Sequence, residues 1–235
     1  MIVNNIDKLF KNYISLGKSF KIRKSANYTE LVTSAGDKIY QNKNDKFKGG
    51  LFLFGMVKRD IKDYLYKNGK DIDVYEELPV NYQNENFDKT KKIIGIDIDN
   101  AYWSVAKLKK YITLKTYRKG LEKKEYKTIR LSSLSSLGKE RVYNVYENGE
   151  HTRDESINGD KTLRKIYNDI RYSTYGVMKE VAEELGNDFE SWKTDCVFFN
   201  DTKENRVIVT EIIEGYGLSC KIEHRKIVEN NKVEM

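Results

Sequence analysis

Apolar positions recur along this chain with two periods, and the points where the period changes mark its elements. The run Ile93-Ile94-Gly95-Ile96 is short, continuous and β-branched, which predicts a buried strand over 93–99. Asp97 interrupts it. Asn100 is placed to cap a helix that starts at Ala101 and runs to about residue 111. A carboxylate at the end of a buried strand is costly unless a cation meets it. The stretch therefore holds one acid rigidly at a sheet edge, a position suited to a metal ion.

The rest of the pattern reads in order. Residues 1–18 predict a basic helix with Ile6, Phe10, Tyr13 and Ile14 on one face. Residues 19–42 alternate and predict short strands. Gly49-Gly50 breaks the chain. Leu51 to Phe54 read as a strand, followed by a helix carrying Ile61, Tyr64 and Leu65. The segment around Pro79, up to about residue 90, is irregular. Thr113 to about Lys139 predicts a basic helical region, Arg141 to Tyr146 a strand, and Glu147-Asn148-Gly149-Glu150 a turn. Residues 150–160 read as loop.

The clearest helix runs from Asp160, its cap, to Leu185, with Gly186-Asn187 ending it. Leu163, Ile166, Tyr167, Ile170, Val177, Met178, Val181 and Leu185 form its core face. Lys161, Lys165, Asn168, Tyr172 and Tyr175 form the opposite stripe, flanked by Arg164 and Arg171. Gly176 lies beside that stripe, where a glycine lets another backbone or a base pair come close. Phe189 to Phe199 predict two short strands meeting near Lys193, with Asp195 at the start of the second apolar run. Asp201-Thr202-Lys203-Glu204 opens a further helix, with Asp201 as its cap, that runs to Gly215. Residues 217–228 return as a strand. Strand, helix, strand is a compact α+β layer.

Charge adds a partner. At 235 residues the chain suits one or two domains, and 34% charged residues predict a heavily charged surface on a globular protein. No apolar run approaches a membrane span, and the N-terminus lacks a signal-peptide pattern. Cys196 and Cys220 are both expected inside strands as buried thiols, which points to a reducing compartment. His151 and His224 lie far apart and near no cysteine pair, which argues against zinc. The net charge of +7 is gathered in two blocks. Residues 1–50 carry ten Lys/Arg against four Asp/Glu, and residues 107–130 ten against two. Such blocks predict a polyanionic partner. Lys115, Arg118, Lys119, Lys123 and Lys124, interleaved with Tyr117 and Tyr126, are the candidate phosphate-backbone contacts.

Three segments together resemble the palm and fingers core of family B DNA polymerases. The family's first motif, Asp-x-x-Ser-Leu-Tyr-Pro, is similar to Asp97-Ile98-Asp99-Asn100-Ala101-Tyr102-Trp103, with Asn100, Ala101 and Trp103 departing from it. The fingers motif, Lys-x-x-x-Asn-Ser-x-Tyr-Gly, is similar to residues 168–176. Ser173, Tyr175 and Gly176 match, while Asn168 holds the lysine position and Tyr172 the asparagine position. The third motif, Tyr-x-Asp-Thr-Asp-Ser, is similar to Ser191-Trp192-Lys193-Thr194-Asp195-Cys196. There Lys193 replaces the first aspartate. The likeness spans about residues 93–225.

The resemblance implies an α+β fold: a polymerase-type palm with an antiparallel sheet and packed helices, a helical fingers insertion and a small N-terminal α+β region. Residues 1–90 would be a basic accessory region, 91–112 and 188–235 the palm, and 113–187 the fingers. The thumb would be absent or rudimentary, and no proofreading exonuclease would fit. It implies DNA synthesis from deoxynucleoside triphosphates on a primer 3′-hydroxyl, with two Mg2+ or Mn2+ ions as cofactors. Asp97, Asp195 and the main-chain carbonyl of Ile98 would be the metal ligands. Tyr102, Lys161, Arg164, Lys165, Asn168 and Tyr175 would meet the nucleotide, and Gly176 the nascent base pair. Lys161, Arg164 and Lys165 would replace the missing family lysine, and Lys193 would place a cation beside Asp195 or pair with Asp99. The implied partners are primer-template DNA and a further replication protein. The implied setting is the cytoplasm of a bacterium or a virus-infected cell, with a virus or mobile element as source.

Two other readings stay open. The run Ile94-Gly95-Ile96-Asp97 also resembles the first strand of ribonuclease-H-like nucleases and of actin-like ATPases, which ask for further acids or a second phosphate loop. A polymerase-like core without catalysis would bind DNA or a replication protein and incorporate nothing.

Overall fold

The computed structural model describes residues 1, 3, 5–24, 28–42, 52–73, 76–157, 159–223, 226–228 and 232–234. The described residues form seven α-helices and twelve strands, and the two large sheets are each five-stranded and antiparallel. This is an α+β fold.

The first sheet has the order β3 (Lys38–Asn42), β2 (Tyr28–Thr33), β1 (Phe20–Lys24), β6 (Arg141–Glu147), β7 (Glu150–Ile157). Helix α1 (Ile6–Ser15) covers one of its faces, started by Asn5, whose Oδ1 accepts from the Lys8 amide. Ile6, Phe20, Ile22, Leu31 and Ile39 are buried between them, with Phe10 and Tyr13 packed alongside. Ile14 stays at the exposed rim. Phe20 is opposite Tyr146, so β1 joins β6. The pairing crosses the expected boundary between the N-terminal region and the fingers segment.

The second sheet has the order β10 (Cys220–Glu223), β5 (Ile93–Ile98), β9 (Cys196–Asn200), β8 (Phe189–Lys193), β4 (Asn81–Gln83). On one face Ile94, Ile96, Ile98, Val197 and Phe199 join a core with α3 (Ala101–Leu108), α6 (Lys161–Leu185) and α7 (Lys203–Gly215). Residues two apart on a strand share a face, so Gly95 and Asp97 belong to the other face. A Cβ at Gly95 would stand 2.8 Å from the Phe198 ring. The glycine is what lets that ring cross β5. Helices α2 (Phe52–Asn68), α4 (Leu114–Leu121) and α5 (Tyr126–Ser135) pack on one another beside α3.

Several expectations are corrected. Phe52 to Phe54 are helical, because Leu53, Val57 and Ile61 are buried at a four-residue spacing that extends the helix to its first turn. Residues 150–157 are strand, not loop. β7 is a polar edge strand that pairs only with β6, through a turn at Asn148 (φ 53°) and Gly149 (φ 82°). Asn100 precedes α3 in a left-handed conformation and does not cap it; its Oδ1 accepts from Arg130 Nη2 at 2.6 Å. Thr202, not Asp201, caps α7, accepting from the Asn205 amide, while Asp201 pairs with Lys92 and Arg206. Residues 217–228 are not one strand: β10 ends at Glu223, and β11 (Lys226–Val228) pairs with β12 (Lys232–Glu234) in a separate ribbon. The irregular segment after Pro79 contains the three-residue strand β4. Gly49-Gly50 and His224 lie outside the described residues.

Asp160 does cap α6, accepting from the Thr162 and Leu163 amides, and Gly186 ends it with φ 51°. The expected open stripe on α6 divides. Lys161 and Lys165 are exposed, but Tyr172 and Tyr175 are buried. The C-terminal half of α6 is packed on more than one side, and Tyr175 meets α3 through Tyr102. Asp169 is buried as well, bonded to Lys109 Nζ at 2.9 Å and to the Tyr111 hydroxyl at 2.6 Å, which pins α6 to the end of α3.

Candidate active site

Register brings the two expected acids together. Asp97 on β5 is directly opposite Cys196 on β9, and Asp195 is the residue before Cys196. The Ile98 amide donates to the Asp195 carbonyl at 2.9 Å, extending the ladder by one residue past the strand. The hairpin that carries Asp195 turns through Thr194, which is held at φ 59°. A strand residue directs its N–H and C=O to the same side, so the Ile98 carbonyl faces the Asp195 side of β5.

The electrostatics follow from burial. The Asp195 carboxyl is pushed up to about 6, by removal from water and then by the negative charge of Asp97, against its own backbone amide, Lys127 and Lys221. Asp97 is also raised. Burial is the main cause, Lys221 opposes it, and Glu223 and Asp99 add to it. Lys221 is the cross-strand partner of Asp97 in β10, with Nζ 3.2 Å from Asp97, 3.9 Å from Asp99 and 3.5 Å from Glu223. One half-exposed ammonium thus faces three carboxylates, and Asp195 lies beyond them. The site carries more negative than positive charge.

An aromatic cluster lies within electrostatic reach of Asp195. The Tyr102 and Tyr175 hydroxyls are 2.7 Å apart. Tyr102 titrates well above the ordinary tyrosine range, through burial, then its hydrogen bond to Tyr175, with the charges of Tyr167 and Asp195 also contributing. The Arg171 guanidinium lies 5.6 Å from the Tyr167 ring centroid and 5.7 Å from those of Tyr172 and Tyr175. Behind the turn after β5, Arg130 is buried, and its acceptors among the described residues are neutral, the Gly120 carbonyl and Asn100 Oδ1, each at 2.6 Å. Burial pulls its guanidinium below the ordinary arginine value.

The remaining expected residues are distributed unevenly. Counting 1.5 Å per residue along α6, Lys161, Arg164, Lys165 and Asn168 lie about 10–21 Å before Tyr175, whereas Arg171 lies about 6 Å before it. Arg164 is paired with Glu140 at 2.9 Å. Arg171 is therefore the α6 cation that reaches Tyr175, while Lys127 and Lys221 are the cations that act on Asp195, and no motif in the sequence singles them out. Lys193 is exposed and stands opposite Asn81 and Cys196. The cation on Asp99 is Lys221, not Lys193, because β10 returns beside β5. Gly176 has open space around it. Lys115, Arg118 and Lys119 line one groove, Lys123 stacks over Tyr126 and Lys124 is exposed.

The oxygen-only donor set of two carboxylates and one main-chain carbonyl suits a hard divalent cation, and the excess negative charge is what such an ion relieves. Among the described residues, no three His, Cys, Asp or Glu side chains gather into a set that could hold a metal by themselves. The remaining ligands would come from water and substrate phosphate, the usual manner of Mg2+. No helix among the described residues is long and apolar enough to cross a membrane. Compared with known proteins, the chain matches no family model, no curated protein and no solved structure.

Proposed function

We propose that this chain is a metal-dependent nucleotidyltransferase, a minimal family-B-like DNA polymerase that adds deoxynucleotides to a primer 3′-hydroxyl. The observation that carries the reading is the pair Asp97 and Asp195. Asp97 lies near the end of β5 and Asp195 sits in the turn that leads into the adjacent β9; burial first, and then the charge of Asp97, raises Asp195 to about 6. Mg2+ or Mn2+ held by Asp97, Asp195 and the Ile98 carbonyl would supply hydroxyl activation and charge neutralisation for in-line phosphoryl transfer.

The chain's own residues do the rest by position. Lys127, whose charge acts on Asp195, and Arg171, which reaches the Tyr175 hydroxyl, would bind the triphosphate that Lys161, Arg164 and Lys165 stand too far along α6 to share. Tyr102, fixed through its hydroxyl to Tyr175, would present a rigid ring to the incoming sugar. A ring so held excludes a 2′-hydroxyl by contact, which favours deoxynucleotides.

A second reading, a DNA-binding protein that no longer catalyses, is favoured by one observation: Lys221 occupies the Asp97 carboxylate at 3.2 Å. Primer extension with Mg2+ or Mn2+, with and without template, decides between the two. The polymerase reading requires incorporation that Asp97→Asn and Asp195→Asn each abolish. DNA binding without incorporation under every condition overturns it in favour of the second reading.

A further inference from the structure

The groove between α2 and α4 lies outside the acid pair. It is open, about 710 Å³ in volume, and lined by Met56 and Arg59 from α2 and by Leu114, Lys115, Arg118, Lys119 and Glu122. Four cations face one acid there, and that acid, Glu122, is taken by Lys119 at 2.7 Å. Arg59 reaches Asp60 at 3.2 Å. Lys115 and Arg118 have no acidic partner among the described residues. They are three residues apart on α4, so they share a helix face.

The floor of the groove separates it from an ordinary solvated helix. Leu114 is 50% exposed and Phe52, at the start of α2, is 39% exposed. Phe52 lies beside the groove, against Lys119 and Tyr126. Lys119 lies over its ring at 5.8 Å, its edge meets Tyr126 at 5.7 Å, and Lys123 lies over Tyr126 at 5.7 Å. The residue after Tyr126 is Lys127, one of the charges acting on Asp195. Cations thus alternate with the open apolar surface of Leu114 and Phe52 along this path, while Tyr126 itself is buried.

We infer that this path is a track for single-stranded nucleic acid. Phosphates would sit on Lys115, Arg118 and Lys119, and bases on Phe52 and the apolar floor. A single strand exposes both its phosphates and its base faces, which is what an alternation of cations and aromatic surface recognises. A duplex or an acidic peptide would use the cations and leave Phe52 and Leu114 in water. The inference deepens the nucleotidyltransferase reading, on which its direction toward Asp195 rests.

The test is fluorescence anisotropy of a labelled thymidine oligonucleotide of about 20 nucleotides with the full chain, in EDTA, across about 50 to 200 mM salt. A duplex of equal length and a polyglutamate peptide serve as competitors. Lys115→Gln combined with Arg118→Gln is expected to weaken binding about tenfold and to lower the log–log salt slope by about 1.4, the value for two released single-strand counterions. Phe52→Ala is expected to weaken binding about fivefold or more with the slope unchanged. Circular dichroism checks that each variant is folded. The proposal is overturned if the parent does not bind, if the exposed double variant binds like the parent, or if duplex or polyglutamate competes better than single strand. Failed primer extension with groove-dependent binding intact removes the polymerase reading and leaves the track. Extension that survives the double variant at unchanged oligonucleotide affinity does the reverse.

Discussion

Replacing Asp195 with asparagine should make the metal-free protein more stable at neutral and alkaline pH. Asp195 is raised from 3.8 to about 6 in the fold, by burial and by Asp97. That rise corresponds to about 3 kcal/mol, at about 1.4 kcal/mol for each pH unit. The side chain keeps some contact with water and shares its charge interaction with Asp97, so about 1.5–3 kcal/mol is expected. The sign follows from proton binding. Between about pH 4 and pH 6 the folded state holds a proton that the unfolded chain has released, so stability falls as pH rises through that window. Below it both states are protonated and the fold carries no penalty from this group. The amide of the variant does not titrate and escapes the loss. The two proteins should match near pH 4, and the variant should be more stable at pH 8 by about 1.5–3 kcal/mol. Urea unfolding in EDTA, followed by tryptophan fluorescence, reads this directly. Millimolar Mg2+ should return stability to the parent at pH 8, by about 1.4 kcal/mol at ten times the dissociation constant, and should leave the variant unmoved. A parent protein with a flat profile from pH 4 to 8, or a variant less stable than the parent at pH 8, would refute the crowding of two under-compensated carboxylates.

Other outcomes follow from particular contacts. Gly95→Ala drives a Cβ to 2.8 Å from Phe198 and should cost about 1–3 kcal/mol in chemical denaturation, with Phe198→Leu restoring part of it. Asp169→Ala should cost about 3 kcal/mol, because it removes the buried acceptor shared by Lys109 and the Tyr111 hydroxyl, and Tyr111→Phe about 1.5 kcal/mol, both read from urea midpoints. Equal stability of Asp169→Ala and the parent would remove Asp169 as the clamp between α6 and α3. Lys221→Ala should destabilise by no more than about 1 kcal/mol at pH 8, since the ammonium is half exposed. That loss should be smaller at acidic pH, because Asp97 is held above the ordinary aspartate value and takes up its proton as pH falls. A loss equal at both pH values would assign Lys221 a packing role.

Much of the site's scaffold was legible in the chain. Ile93 to Ile98 form a strand because a β-branched run has little else to do in a core, and the step from Lys193 to Cys196 marks a hairpin. Helix α6 could be read from Asp160 to Gly186 because caps and the 3.6-residue period are local signals. Asp97 and Asp195 could be named as a pair, since a charged group at the end of an apolar strand is conspicuous wherever it folds. What could not be read depends on partners. β7 lacks apolar alternation because neither of its faces is buried among the described residues and it lies at the sheet edge, so its pairing to β6 is what makes it a strand. The Asn148-Gly149 turn was the one local hint of it.

Tertiary structure decided the electrostatics. Lys221 comes to Asp97 only because β10 returns antiparallel to β5, and no spacing along the chain encodes that. Tyr172 and Tyr175 look solvent-facing on a helical wheel, but a helix packed on several sides has no free face, and this burial sets Arg171 among their rings. Asn100 has the chemistry of a cap and the sequence position of one. Its left-handed backbone and the Arg130 guanidinium give its side chain another task. Local pattern determined which residues are strand, helix and acid. Burial and strand return, which depend on residues far apart in sequence, decided how much charge those acids carry and which cations face them.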